Sequence, residues 1–361
     1  MITAELRRAI LAAAGHDDAD PLLRPGPVPG SYASSLPFRL VQGPGHDPRD
    51  IAVPLAARLA AEPWIATAQV TGPGYLTVTV THDALAGLAV RIARAGPASA
   101  ASDALRGHTV TAAADPDLAA EPDWPSARAV LAAHLTDRLA AAAGATIIFP
   151  AERSMVPLSR PRPAAPDEAE RSAVPLSRPR PAAPPEAERP VPPASRPPLA
   201  AAIAYAGPDA VRFALARTPP GAAPPPAEVI ARHLLTNPAY AVRYAHAAAA
   251  AVLRWAAALG TGPAGPQEFR PRLLLAPQEL ALLDALSWLP ERVAMAARRG
   301  RPDEFAGYVQ GLAARTMDTM STTGFTKVSS ISSERLWLAD AARAGLAACL
   351  GLLGVSAPRR L

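Results

Sequence analysis

The sequence predicts a multidomain chain: a small α+β N-terminal domain and an all-α helical bundle, joined by a Pro/Arg-rich linker. Three observations lead there. Residues 65–80 alternate apolar and polar side chains around a glycine turn, whereas residues after 200 follow the 3.6-residue period of helices. Between them, the segment 154–171 recurs almost unchanged at 172–189, in a Pro, Ala, Arg and Glu composition that builds no core. Half of the 361 residues are hydrophobic but only 5% are aromatic, and the dominant filler, alanine, favours helices.

The elements follow in order. Ile2, Leu6 and Ile10 share a helical face that ends at Gly15. Residues 16–36 are rich in Asp, Pro and Gly and read as loop, and 38–41 as a short strand. Residues 50–61 read as a helix disturbed at Pro54. Residues 65–70 and 75–80 are two strands joined by Gly72-Pro73-Gly74, with Leu76, Val78 and Val80 on one face of the second. Asp83 caps a helix reaching Arg94, which closes a domain over 1–95. In the segment 96–150, residues 124–144 form a helix ending at Gly144, followed by a strand over 145–149. The repeats make 151–200 an extended linker. Residues 201–361 contain about six or seven helices, several of them opening on a proline: Pro208, Pro238, Pro277, Pro290 and Pro302. Gly300, Gly324 and Gly354 mark helix ends.

The longest unbroken stretch of that bundle is 237–260. Asn237 is its N-cap, Pro238 its first helical residue and Gly260 its stop. At ~100° per residue, Ala241, Tyr244, Ala245, Ala248, Val252 and Trp255 fall on one side, which is expected to face the core. Arg243 and Arg254 fall on the other, roughly 16 Å apart along the axis. Tyr240 and His246 flank them, with Ala247 and Ala250 as a low floor between. Guanidinium forks suit phosphate recognition, and the alanine floor beside the aromatic ring and the imidazole lets a partner come close.

Charge and composition narrow the alternatives. The net charge is +5, and all but one of the 36 cationic side chains are arginine, the exception being Lys327. The single Cys349 excludes a disulfide framework or thiolate metal site within the chain, and the seven histidines form no H-x-x-H pair. No metal or cofactor is expected. The first residues lack a signal-peptide pattern and no membrane-spanning run is read, so a cytoplasmic protein is expected. GPGH at 43–46 and GPGY at 72–75 are turns rather than phosphate loops, and no G-x-S-x-G elbow occurs.

Several of these stretches resemble arginyl-tRNA synthetases. Gly207-Pro208-Asp209-Ala210-Val211-Arg212-Phe213 looks like the D-A-L-R signature of that family's anticodon-binding domain. N-P-A-Y-A-V-R-Y-A-H-A over 237–247 is similar to its N-P-x-Y-x-V-Q-Y-A-H-A run, with Arg243 in place of Gln. A-P-Q-E-L-A-L-L-D-A-L and W-L-P-E over 276–291 continue in register, and G-L-L-G-V-S-A-P-R-R-L over 351–361 resembles the family's end. Phe325 is the only aromatic in 317–330, where the family usually places one against the anticodon loop. At the other end, Gly30-Ser31-Tyr32-Ala33, D-P-R-D-I-A with A-A-R-L-A over 47–60, and V-T-G-P-G-Y-L over 70–76 resemble the family's N-terminal domain, which touches the tRNA elbow. Ser34 and Ser35 stand where the family usually has Asn.

The resemblance implies a DALR-type bundle, and tRNA binding by Tyr240, Arg243, His246 and Arg254 and, from the N-terminal domain, by Tyr32. It implies no aminoacylation. The helix at 124–144 resembles the first helix of the catalytic domain, but Asp123-Trp124-Pro125-Ser126 stands where the family's H-[IV]-G-H should precede it. Asp123 would repel the ATP phosphates that those histidines hold. A chain whose only lysine is Lys327 has no K-M-S-K-S loop, and 96–200 is too short for a doubly wound nucleotide fold. The expectation is a non-catalytic tRNA-binding protein, with arginine tRNA the tRNA the resemblance names. Two alternatives stay open: an accessory subunit that presents tRNA in trans to a synthetase or biosynthetic enzyme, and a helical protein–protein module without RNA.

Overall fold

The structure is a computed structural model that describes residues 1–16, 19–41, 47–148, 199–327 and 331–361. The repeat segment expected to be a linker lies outside the described residues. In the N-terminal part, α1 (Ile2–Ala14) precedes β1 (Leu23–Pro25), β2 (Ser31–Ser34), α2 (Leu36–Leu40) and α3 (Pro48–Leu59). The hairpin β3 (Ile65–Thr71) and β4 (Tyr75–Val80) follows, then α4 (His82–Ala86) and α5 (Leu88–Ala95). The four strands form one antiparallel sheet in the order β1-β2-β4-β3. The period-two pattern of β4 holds: Leu76, Val78 and Val80 are buried while Tyr75, Thr77 and Thr79 lean outward. Gly74, at φ 129, closes the hairpin, and a Cβ there would meet Pro48 at 2.7 Å, so only glycine fits between the turn and α3.

Three local expectations are corrected. Residues 31–34 are a central strand, not a loop; a four-residue strand holding two serines between Gly30 and Ser35 carries little β signal. Residues 36–40 are a helix rather than a strand, because Pro37 sits in the first turn, where a missing N–H costs nothing. The cap of α4 is Thr81, whose Oγ1 accepts from the Ala84 amide at 3.2 Å.

The next segment holds β5 (Thr109–Thr111), α6 (Trp124–Ala142) and β6 (Thr146–Ile148), with β5 and β6 paired in parallel. Asp123 caps α6 by accepting from the Ser126 amide at 2.7 Å, which holds its carboxyl below the usual range. The bundle comprises α7 (Leu199–Ala206), α8 (Pro208–Arg217), α9 (Ala227–Ile230), α10 (Pro238–Ala258), α11 (Pro277–Ser287) and α12 (Leu289–Arg299). It continues with α13 (Pro302–Met320), α14 (Thr323–Thr326) and α15 (Ser333–Leu353). Gly300 and Gly354 end their helices in the left-handed conformation, as expected. Gly324 does not: α13 stops at Ser321, and Gly324 lies inside α14. The reading that no segment could span a membrane also needs correction, since α15 is long and apolar enough by composition. It is instead the central core helix, with 72% of its apolar window buried, packed on α5, α10 and α13.

The described residues share one core, so the sheet layer sits on the bundle. Thr3 Oγ1 donates to the Ser287 carbonyl at 2.8 Å, the Gly30 amide donates to Asp284 at 2.9 Å, and His82 Nε2 meets the Leu274 carbonyl at 2.9 Å. Arg7 reaches from α1 across to Glu291 at the start of α12 with contacts of 2.7 and 2.8 Å, and also holds Asp20 at 2.9 Å. Arg298 closes this network on Glu291 and Asp20 at 3.0 and 3.3 Å.

Candidate functional site

Helix α10 forms where its caps place it. The Asn237 side chain accepts from the Ala239 amide at 3.2 Å and donates to the carbonyls of Ile230 and Arg232, fixing the entry of the chain. Its two faces are not as expected. Ala247 and Ala250, expected as an open floor, are buried, and so is His246. Trp255, assigned to the core, is 57% exposed, and Tyr244 and Ala248 are only half-buried.

Ala245 and Val252 are buried as expected, and the C-terminal residues 355–361 lie over part of the arginine face. Ser356 is tied to Asp209 through both its amide and its hydroxyl. Arg243 sits 3.4 Å from Asp209 and from the Ser356 hydroxyl. His246 Nδ1–H donates to the Pro358 carbonyl at 2.8 Å, and Arg254 donates to the Arg359 carbonyl. Arg212, the last residue of the Asp209–Arg212 signature, donates to the Leu353 carbonyl at 3.0 Å and pairs with Asp115 at 2.7 Å. The signature therefore clamps the end of α15 and the tail onto α8 and α10.

The expected site residues are thus separated. Tyr240 is half-buried in a ring stack between His233 (5.3 Å) and Tyr244 (5.6 Å). Arg243 and Arg254 keep partial exposure beside the tail, while His246 lies beneath it. Tyr32 is buried in β2, its ring tilted against that of Trp288 with centroids 5.3 Å apart, and its hydroxyl donates to the Ser287 hydroxyl at 2.8 Å. Burial pushes its phenol well above the ordinary tyrosine range. Tyr32 therefore serves the junction between sheet and bundle.

What the tail leaves open is a groove of about 550 Å³ between α10, α13, α14 and the tail itself. Its walls include Tyr244, Trp255, Met317 and Met320, and the buried Phe325 forms part of its floor. Arg254 and Arg360 stand at its edge, with the exposed Leu361. An exposed indole can stack an unpaired base, and two guanidinium groups lining the same groove can hold its flanking phosphates. Periodicity missed Trp255 as a site residue, but a tryptophan at the end of an alanine-rich helix was the available signal.

The buried contact of His246 with the tail carries an expected pH dependence. Burial lowers its pKa, and this outweighs the Pro358 carbonyl, which favours the charged form. A group whose folded pKa is depressed contributes stability above its unfolded pKa, ~6.5 for histidine, and loses that contribution as pH falls toward the folded value. Lowering the pH from about 7 to about 5 should thus destabilise the wild type more than His246→Gln. Thermal midpoints at the two pH values give the comparison, and equal drops in both proteins would refute the linkage.

Comparison with known proteins agrees with this architecture at both ends. Residues 242–361 match the DALR anticodon binding domain, and residues 1–80 match the arginyl tRNA synthetase N terminal domain. The chain is an arginyl-tRNA synthetase-related protein. The arginine–tRNA ligase of Clavibacter sepedonicus is 41% identical over 138 residues, 37% of this chain and 24% of the relative. That of Renibacterium salmoninarum is 37% identical over 163 residues, 43% of this chain and 29% of the relative. The chain thus aligns with less than a third of the length of either ligase. A solved arginyl-tRNA synthetase from Thermus thermophilus aligns with 100% of this chain and 59% of its own, at 18% identity and a TM-score of 0.36. In this synthetase-related protein the matched DALR region contains all of α11 to α15, most of α10, and every residue of the groove.

Proposed function

We propose that this chain is a non-catalytic tRNA-binding protein that takes the anticodon loop of an arginine tRNA into the groove between α10 and α13. The observation that carries this reading is the exposed Trp255, which lines one groove with Arg254 and Arg360 within the region matching the DALR anticodon binding domain. Trp255 and Tyr244 would receive an unpaired base, and the two arginines would hold the phosphates on either side. Arg243 and His246 act indirectly, by holding the tail that forms one wall. Absence of catalysis is supported by the use of Asp123 as a helix cap where the family places its ATP-binding histidines, and by the lack of any lysine other than Lys327.

Phosphate contacts release counterions, so affinity for an arginine tRNA transcript should fall steeply with salt. Arg254→Gln and Arg360→Gln should each flatten the slope of log K against log salt by roughly 0.7. Fluorescence anisotropy across a salt series measures both. Unchanged affinity in the double variant at low salt would sink the groove. Capture of a protein partner that resists RNase, with no tRNA bound, would replace the reading by a helical interaction module.

A further inference from the structure

A second cleft, which shares no lining residue with the groove, lies where β1 meets α12. It encloses about 310 Å³ and is walled by Arg24, Trp288, Glu291, Arg292 and Arg298, with Asp20 at one side. Its two acids are already neutralised by the Arg7 and Arg298 network. Arg299, also on its wall, pairs with Glu304 at 3.0 Å. Arg24 and Arg292 are left without a carboxylate partner among the described residues.

The donor inventory is one-sided. Trp288 is 3% exposed and its Nε1–H has no acceptor among the described residues. Arg292 lies over the same indole, 5.5 Å from its centroid, and its buried Nε–H has no acceptor either. Both groups can only donate, so nothing they do for each other satisfies them. A buried donor without an acceptor is uncommon in a folded protein and calls for an occupant rich in oxygen. With Asp20, Glu291, Arg298 and Arg299 already paired, Arg24 and Arg292 leave two positive charges on the cleft wall, which match a doubly charged anion better than a single carboxylate.

We propose that this cleft binds a phosphate-class oxyanion through Arg24, Arg292 and the indole N–H of Trp288. The anion comes either from free diphosphate or from a phosphorylated RNA end. This site is independent of the proposed groove, whose indole is Trp255.

The test uses the full chain labelled with ¹⁵N, whose five tryptophans give five indole resonances. Trp288→Phe assigns the one of interest. Titration with inorganic pyrophosphate should move the Trp288 signal in a saturable way and leave Trp255 in place. Arg24→Gln/Arg292→Gln should weaken that response by about tenfold or more, with the other four indole signals unmoved as the control for folding. A 5′-phosphorylated RNA oligonucleotide compared with its 5′-hydroxyl twin then assigns the source: a shift with the phosphorylated form alone means an RNA end, and a shift with pyrophosphate alone means a free diphosphate. No movement of Trp288 with either millimolar pyrophosphate or the phosphorylated oligonucleotide, or an equal movement in the double variant, overturns the proposal.

Discussion

Replacing Arg7 by alanine should lower the unfolding free energy by about 3–5 kcal/mol, out of the ~5–15 kcal/mol typical of a whole domain. Glu291 is 3% exposed, and Arg7 supplies it with two of its three charged contacts. Without Arg7, Glu291 depends on Arg298 alone, and Asp20 loses its shortest ion pair. An unpaired buried charge is far more costly than the pair is favourable, so the loss comes mainly from what is left behind. Arg298 remains as partial compensation, which sets the expected value near the lower end. Urea unfolding should show a lower midpoint at unchanged m-value. The double variant Arg7→Met/Glu291→Leu should recover most of the loss, since it leaves no charge stranded. A loss below about 1 kcal/mol in Arg7→Ala would mean that the sheet layer is not docked on α12 through this pair.

Trp255→Ala should weaken binding of an arginine anticodon stem-loop by about 1–3 kcal/mol, a factor of roughly 5 to 150. The indole is 57% exposed, so its removal opens no cavity, and thermal stability should stay within about 0.5 kcal/mol of wild type. That separation between affinity and stability makes the variant informative. Trp255→Phe should keep most of the affinity, because stacking needs a π face and not the N–H. Equal binding by wild type and Trp255→Ala would remove the groove from the RNA contact.

Much of this was readable in the residues. Asn237, Pro238 and Gly260 bound α10 to within two residues, Pro208 and Arg217 bound α8, and the alternation of Leu76, Val78 and Val80 set the facing of β4. The family of the two ends was also legible, since its signatures sit in local runs. The candidate site was only partly so. Tyr240, Arg243 and Arg254 do lie on α10 near an open surface, but Tyr32 and His246 are buried. The cleft between β1 and α12 was invisible, because Arg24 and Arg292 are far apart in the chain.

The sequence by itself determined where most helices and strands begin and end, because caps, prolines and alternation act within a few residues. Only the tertiary structure decided which side of α10 is open. Periodicity shows which side of a helix is the more apolar, and in a helix built largely of alanine the two sides differ little. The choice fell to residues more than a hundred positions away: the tail at 355–361, pinned by Asp209, Arg243 and His246, covers the arginine side and leaves Trp255 to solvent.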